Sequence, residues 1–252
     1  MTLAPAVPAR VQLCGALVVE KDGQRWEADL PGRQGRLLFA YLVLNRRRAC
    51  GRNELAQALW GEALPSASDA GLNALVSKLR KALWPAVVDG RASLRVQLGA
   101  EAWVDVEAAE QAVHRAESRI ALQDWGRAWG PSLAALFISE RQLLPDDDAP
   151  WIDEQRGRLA DIRLRALEAY ALAALGTAGT ELPAAVRAGR QLVRLAPLRE
   201  SGSQVLMRAL AAQGNVAEAL IVHAHLCRVL RDELGVSPST ATQSVYEALL
   251  HA

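Results

Sequence analysis

The stretch LNALVSKLRKALWP, Leu72 to Pro85, has the pattern of an amphipathic helix. Successive residues of a helix lie about 100° apart around its axis, so this spacing separates the side chains into two faces. The apolar face consists of Leu72, Leu75, Val76, Leu79 and Leu83. The polar face consists of Asn73, Ala74, Ser77, Lys78 and Lys81, and Arg80 lies nearer the apolar edge. A solvated surface helix has the same pattern, so the flanking sequence must distinguish a binding helix from a merely exposed one.

Hairpins are predicted near the start of the chain and directly after this helix. The segments VQLCGALVVE (11–20) and QRWEADL (24–30) are rich in β-branched and apolar residues, and the sequence KDGQ between them has turn character. Residues 87–98, VVDGRASLRVQL, predict two more short strands around a turn at Asp89-Gly90. We therefore expect one hairpin at the start of the chain and another directly after the opening stretch.

Two further helices precede the opening stretch. GRQGRLLFAYLVLN (32–45) has helical apolar spacing, and RNELAQALWG (52–61) follows it with Asn53 as the expected N-cap. A short polar turn then leads to the third helix. Strands, three helices and a final hairpin, in this order, are typical of a winged helix-turn-helix. In such a domain the last helix enters the major groove of DNA and the hairpin touches backbone or minor groove.

The rest of the chain has helical spacing throughout. ELPAAVRAGRQLVRLAP (181–197) and NVAEALIVHAHLCRVLR (215–231) align at an offset of 34 residues, which places Ala185 over Ala219. A period of 34 residues is that of tetratricopeptide repeats, and small residues at such positions let the helices approach closely. The segment LLPDDDAP (143–150) is predicted to be a linker with solvated aspartates.

The fold class is therefore mainly α. We expect a flexible tail at 1–10, a winged helix-turn-helix domain (α+β) at 11–100 and an all-α tetratricopeptide-like helical repeat domain at 101–252. Residues 1–100 carry fourteen Lys and Arg against eight Asp and Glu, whereas residues 101–252 carry fifteen against twenty. A basic front half joined to an acidic back half suggests that only the front half approaches a polyanion.

Composition and motifs exclude several classes of protein. No apolar run reaches the roughly 18 residues of a membrane span, and the start MTLAPAVPAR lacks the features of a secretory signal. Cys14, Cys50 and Cys227 are odd in number and far apart, which favours reduced thiols in a cytoplasmic protein. His223 and His225 are two residues apart and would point in different directions on a helix. We therefore predict no enzyme activity, no catalytic residues, no cofactor and no metal site.

At this point the chain resembles a known family, the Streptomyces antibiotic regulatory proteins. The matching segments in the front half are GRQGRLLFAYLVLN, LWG (59–61) and LNALVSKLRKAL. Those in the back half are APWIDEQRGRLADIRLRALEAY (149–170), PLRE (197–200), LMRALAAQGNVAEAL (206–220) and LRDELGVSPS (230–239). The resemblance implies an OmpR/PhoB-type winged helix followed by a bacterial transcriptional activator domain (BTAD). The sequence RVQLGAEAW lacks the Gly-Tyr pair with which members usually end the wing.

The resemblance also implies that the third helix recognises DNA. The predicted DNA-binding residues are Asn73, Ser77, Lys78, Arg80, Lys81, Arg46, Arg47, Arg48, Arg52, Arg91 and Arg95. Lysine can contact guanine edges and asparagine can pair with adenine. For Arg80, a phosphate contact and an internal ion pair are both open. For RRR (46–48) with Arg52, a phosphate contact competes with a solvated loop.

The predicted function is that of a cytoplasmic transcriptional regulator, and we expect it to activate transcription. The front domain would bind double-stranded promoter DNA, as a homodimer on repeated sites. The back domain would contact a second protomer or RNA polymerase, and no membrane is involved. The alternative is a protein-interaction module whose altered wing no longer allows DNA binding.

Overall fold

The computed structural model describes residues 8–61, 67–85 and 87–251 of the chain. Its contacts divide the chain into two compact units. The first unit is Met1–Ala108 with Arg141–Leu159, and the second is Ala109–Glu140 with Ala160–Ala252. The division differs from the single boundary predicted after residue 100, because a segment of the predicted helical domain packs within the first unit.

The first unit contains all the strands of the described residues and the first three helices. The strands are β1 (Arg10–Gln12), β2 (Val18–Lys21), β3 (Gln24–Arg25), β4 (Cys50–Gly51), β5 (Val88–Asp89), β6 (Ser93–Val96) and β7 (Trp103–Val104). The helices are α1 (Gly32–Leu44), α2 (Arg52–Trp60) and α3 (Ser68–Ala82). The predicted order of a winged helix-turn-helix is confirmed, with α3 formed by the opening stretch and followed by a β5–β6 hairpin.

The first sheet has the strand order β3-β2-β1-β7, and β1 pairs with β7 in parallel. Asp22 and Gly23 join β2 to β3 with φ of 52° and 77°, the positive values that tight hairpin turns require. The prediction of one strand over 11–20 is wrong. The backbone N–H groups of Leu13 and Cys14 leave the ladder and donate to the buried Asp105 carboxylate at 2.9 and 2.8 Å.

Two other predictions at this end of the chain need correction. The predicted strand 24–30 ends at Arg25, because Glu27–Asp29 form a 3₁₀ turn. Of the predicted flexible tail 1–10, residues 1–7 lie outside the described residues, whereas Ala9 is fully buried and Arg10 begins β1. Hydrogen bonding to β2 and β7 explains why the chain is ordered from this point.

Helices α1, α2 and α3 pack on one another around a leucine-rich core. Of the predicted apolar stripe, Leu72, Val76 and Leu79 are buried in α3, Leu75 is half-buried, and Leu83 is buried directly after the helix ends at Ala82. The N-cap of α2 is Gly51 rather than Asn53, which lies in the first turn of the helix. The reason is that the chain enters α2 directly from β4, and the Glu54 carboxylate accepts the Gly51 backbone N–H at 3.2 Å.

The second sheet has the order β4-β6-β5. We call the β5–β6 hairpin, residues 88–96, the wing. Gly90 has a φ of 95°, and a Cβ atom there would lie 1.9 Å from the Ser93 carbonyl oxygen, so the turn requires glycine. β4 and β7 were not predicted from the sequence, because each has only two residues and forms only by pairing with a distant strand.

The remaining helices are α4 (Asp105–Ala121), α5 (Trp125–Ser139), α6 (Pro150–Thr177), α7 (Leu182–Leu195), α8 (Glu200–Ala212), α9 (Val216–Leu234) and α10 (Thr240–Leu250). In the second unit, α7 packs on α8, α8 on α9, and α10 on both α8 and α9. Ala185 of α7 and Ala219 of α9 are fully buried in one apolar cluster, 34 residues apart as the repeat predicts. No helix among the described residues is long and apolar enough to cross a bilayer.

The predicted linker LLPDDDAP is instead a packed segment of the first unit. Leu143 and Leu144 are buried, and Arg156 donates to the carbonyl oxygens of Leu143, Leu144 and Asp147 at 2.9–3.1 Å. Asp147 is 4% exposed and accepts Arg33 Nε at 2.7 Å, so its charge is paired rather than solvated. The sequence hides this because the partner arginines lie outside the segment.

The repeat packing generates a stability prediction. Ala219→Trp should lower the free energy of unfolding by about 1–3 kcal/mol, because the indole has no space in a closely packed interior. Ala224 lies exposed on the same helix, and Ala224→Trp is the matched control, with an expected change within about 0.5 kcal/mol. Urea unfolding of both variants checks this. Equal stability of the two would contradict the repeat register.

Candidate nucleic-acid interface

The outer face of α3 is exposed along most of its length. Leu72, Val76 and Leu79 are buried on the opposite side of the helix. The exposed side consists of Asn73, Ala74, Ser77, Lys78, Arg80 and Lys81. Within the described part of the chain, neither Lys78 nor Lys81 has a hydrogen bond or ion pair, so both ammonium groups are available to an external anion.

This outer face and the wing together line a concave cleft. The lining residues are Arg52, Asn73, Val76, Ser77, Arg80, Lys81, Gly90, Arg91 and Leu94. Four of these side chains are cationic, and no carboxylate lines the cleft within the described residues. The cleft therefore has the charge that suits a polyanion. Six of the eleven predicted DNA-binding residues line the cleft: five come from α2 and α3, and Arg91 comes from the wing.

Arg80 connects α3 to the wing. Its Nε donates to the Val88 carbonyl oxygen at 3.0 Å and its Nη2 donates to the Gly90 carbonyl oxygen at 2.5 Å. Arg80 forms no ion pair with any described residue, so of the two alternatives open from the sequence the internal ion pair is wrong. Its position near the apolar edge instead lets the guanidinium reach back and hold the wing turn.

Arg52 has a similar tying role at the other end of the cleft. Its Nη2 donates to Asn73 Oδ1 at 2.8 Å and its Nη1 donates to the Arg91 carbonyl oxygen at 3.2 Å. The Arg91 side chain is exposed on the wing. The first residue of α2 is thus bonded both to the outer face of α3 and to the wing.

The three consecutive arginines of RRR differ in their surroundings. Arg46 forms a two-pronged ion pair with Glu107 at 2.7 and 2.9 Å, which raises the pKa of Arg46 and lowers that of Glu107. Arg48 pairs with Glu54. Arg47 keeps a side chain that is 76% exposed, with a single longer contact to Glu107 at 3.4 Å. Of the three, Arg47 therefore has the guanidinium that is most available to an external phosphate.

Arg95 of the wing completes the cationic surface. It donates from Nε to the Arg46 carbonyl oxygen at 2.9 Å and from Nη2 to the Arg47 carbonyl oxygen at 3.2 Å. The bonds fix the loop of RRR to β6. Of the predicted cations, those with guanidinium groups bonded inside the unit are Arg46, Arg48, Arg52, Arg80 and Arg95, and the free or nearly free ones are Arg47, Lys78, Lys81 and Arg91.

Glu54, which was not among the predicted site residues, organises the base of this surface. Its carboxylate accepts from Arg48, from the Tyr41 hydroxyl at 2.7 Å and from the Gly51 N–H. Chiefly because of Arg48, the pKa of Glu54 falls to about 2, and burial together with Glu54 raises the pKa of Tyr41 to about 12. A glutamate three residues into a helix is a capping signal that would have pointed to Gly51.

The described residues contain no group of three His, Cys, Asp or Glu side chains that could hold a metal ion. His223 is buried and stacks on Tyr246 at 4.1 Å between ring centroids, and burial lowers its pKa. His225 is exposed, so the two side chains lie on different faces as predicted. The three cysteines are free thiols.

Comparison with known proteins gives consistent matches. Residues 104–250 match the family described as the bacterial transcriptional activator domain. The chain is 33% identical to the regulatory protein AfsR of Streptomyces coelicolor, over 98% of this chain and 26% of AfsR. It is 26% identical to the transcriptional regulatory protein MoaR1 of Mycobacterium tuberculosis, over 99% of this chain and 81% of MoaR1. The chain thus spans about a quarter of AfsR but most of MoaR1.

One solved structure has the same architecture. It is Mycobacterium tuberculosis EmbR in complex with low affinity phosphopeptide, with a TM-score of 0.83 over 97% of this chain and 65% of that chain. The identity is 24%, so the likeness concerns the fold. The relatives are named regulatory proteins, which agrees with the prediction that the chain is not an enzyme.

The Glu54 cluster generates a prediction on pH dependence. The folded pKa of about 2 lies below the ordinary 4.5, so Glu54 stabilises the fold above about pH 4.5 and loses that effect as the pH falls towards 2. Glu54→Gln should cost on the order of 1 kcal/mol at pH 7 and progressively less below pH 4.5. The measurement is denaturant unfolding at several pH values. Glu101→Gln, at an exposed position, is the control; a pH-independent loss at Glu54 would rule out this role.

Proposed function

Because the chain belongs to the family of bacterial transcriptional regulators that carry the bacterial transcriptional activator domain, we propose that it binds promoter DNA through its winged helix. Its resemblance to the Streptomyces antibiotic regulatory proteins is confirmed. The outer face of α3 enters the major groove and the wing lies along the backbone. The observation that carries the proposal is the exposed, unpaired pair of lysines on a helix whose other face is buried.

The electrostatic arrangement supports the same proposal. The cleft between α3 and the wing is lined by cations from three elements. The front half of the chain has a surplus of six positive charges, fourteen Lys and Arg against eight Asp and Glu over residues 1–100. Such a local surplus attracts nucleic acid through its phosphates, independently of sequence. Base contacts by α3 would then supply specificity.

The proposed contacts divide by availability. Lys78, Lys81 and Ser77 face outward and are assigned to the groove, while Arg47 and Arg91 are assigned to phosphates on either side. The arginines whose guanidinium groups already donate to protein acceptors are assigned to positioning the loop and the wing, and not to DNA contacts. They are Arg46, Arg48, Arg80 and Arg95.

The helical unit is assigned a role in protein contacts. Stacked helix pairs of this kind present extended surfaces to proteins. We assign this unit to contacts with a second protomer on repeated DNA sites or with RNA polymerase, which would make the chain an activator. A regulator of this kind works in the cytoplasm.

One prediction of the proposed function concerns the two lysines of α3. Lys78→Ala with Lys81→Ala should weaken binding to a selected DNA site while the melting temperature stays unchanged, because both side chains are solvated. Each lost phosphate contact should reduce the slope of log K against log salt by about 0.9, and each lost base contact should cost about 1–3 kcal/mol at one base pair. The measurement is equilibrium binding at several salt concentrations.

The control removes the same charge elsewhere. Arg228 and Arg231 are exposed on α9, and replacing both with alanine should leave affinity within about twofold. Wild-type affinity in the lysine double variant would contradict DNA recognition by α3. It would favour a protein-interaction module instead.

Another prediction of the proposed function concerns assembly on DNA. Two protomers on direct repeats should occupy half-sites about one helical turn, roughly 10–10.5 base pairs, apart. Inserting about half a turn should abolish cooperative binding, because one protomer is then rotated to the opposite face of the duplex. Inserting a full turn is the matched control. Gel-shift titration of the three spacings gives the result, and cooperativity that ignores the half-turn insertion would exclude the arrangement.

A further inference from the structure

Among the described residues, Arg52 is the one side chain that forms hydrogen bonds both to the outer face of α3 and to the wing. It begins α2, its Nη2 donates to Asn73 Oδ1 at 2.8 Å and its Nη1 donates to the Arg91 carbonyl oxygen at 3.2 Å. Its side chain is 24% exposed, against 85% for Asp69, the nearest carboxylate, which is 4.0 Å from its Nε. Each of its two terminal nitrogens therefore donates one hydrogen bond to a protein acceptor in the lining of the cleft.

These bonds change what Asn73 can recognise. A free asparagine offers one acceptor oxygen and an NH₂ group with two donors. Pairing with adenine uses both, because Oδ1 accepts from N6 while Nδ2 donates to N7. In this chain Oδ1 already accepts one of its two possible hydrogen bonds from Arg52, and the planar amide carries its NH₂ group on the other side of Cγ. The guanidinium charge beside Oδ1 also repels a donor such as the adenine N6 amino group.

We propose that Arg52 is a positioning residue that makes Asn73 a hydrogen-bond donor towards DNA, an inference that rests on the proposed function. Asn73 then selects guanine over adenine at one base pair. Guanine presents two acceptors, O6 and N7, at its major-groove edge, and the NH₂ group of Asn73 can donate to both. Adenine presents N7 beside a donor, and cytosine presents a donor. The preference therefore follows from which atom of the amide remains available.

This assignment differs from the phosphate contact that the sequence suggested for Arg52. A phosphate-binding arginine needs its forked N–H groups directed at solvent. Both terminal nitrogens of Arg52 instead donate to protein acceptors, Asn73 Oδ1 and the Arg91 carbonyl oxygen. The two roles have different thermodynamic signatures, because loss of a phosphate contact lowers the salt dependence and loss of a positioning contact alters base preference.

The experiment uses the full chain and a DNA site selected from a random library. Relative affinities are measured for that site with each of the four bases at every position of one half-site, for the wild type, Arg52→Ala, Asn73→Ala and Lys78→Ala. The salt slope and the melting temperature of each variant are recorded in parallel. Lys78→Ala is the control, because it alters a different contact on the same helix.

We expect the wild type to prefer guanine over adenine at one position by roughly 5- to 150-fold. Asn73→Ala should abolish the preference at that position. Arg52→Ala should shift it towards adenine, because Oδ1 is released, and should leave the salt slope unchanged. Should Arg52→Ala unfold, Arg52→Met, which keeps the aliphatic stem but has no donor and no charge, is expected to shift the preference in the same direction at an unchanged slope.

Two results would overturn the inference while leaving the proposed function intact. One is a wild-type preference for adenine at the position that Asn73→Ala affects. The other is an unchanged base preference in Arg52→Ala or Arg52→Met, and a slope reduced by about 0.9 in the same variant would identify a phosphate contact. Absence of any sequence-dependent binding by the wild type would instead overturn the proposed function itself, and the inference with it.

Discussion

Burial of one side of α3 against α1 and α2 determines what this helix can offer to a partner. Leu72, Val76 and Leu79 fill the core of the first unit, so rotation of the helix about its axis would expose them and bury lysine. Both changes are costly, because apolar area would be hydrated and a charge desolvated. The outward position of Lys78 and Lys81 is therefore a consequence of packing. The proposed DNA-binding surface rests on that constraint.

A second constraint comes from arginines that bind the protein itself. Arg80 holds the wing turn through the carbonyl oxygens of Val88 and Gly90, and Arg95 holds the loop after α1 through those of Arg46 and Arg47. The wing is short, four residues in β6 and two in β5, so these side-chain bonds supply order that a longer strand ladder would provide. The altered wing of this sequence is thereby compatible with a fixed surface beside α3.

Sequence periodicity was enough to predict α3, its two faces, the wing hairpin and the 34-residue register of Ala185 and Ala219. These features depend on residues close together in the chain. By contrast, β7, the buried Asp105 and the packed segment around Leu143 depend on partners many positions away, such as Leu13 and Arg156. The same reason explains the candidate site. An arginine's type predicts its charge, but only tertiary contacts decide that Arg46 pairs with Glu107 while Arg47 stays exposed.

Tethered cleavage can locate the outer face of α3 on DNA, which we propose lies in the major groove. A hydroxyl-radical-generating iron chelate is attached to the thiol of a Ser77→Cys variant of the full chain, bound to a selected site; Ala224→Cys on α9 is the control. Cys14 and Cys50 are buried, and the half-buried Cys227 is replaced by serine in both variants, so the introduced thiol is the reactive one. The account predicts cuts confined to sugars bordering one major groove for Ser77→Cys. Cuts from Ala224→Cys with none from Ser77→Cys would contradict it.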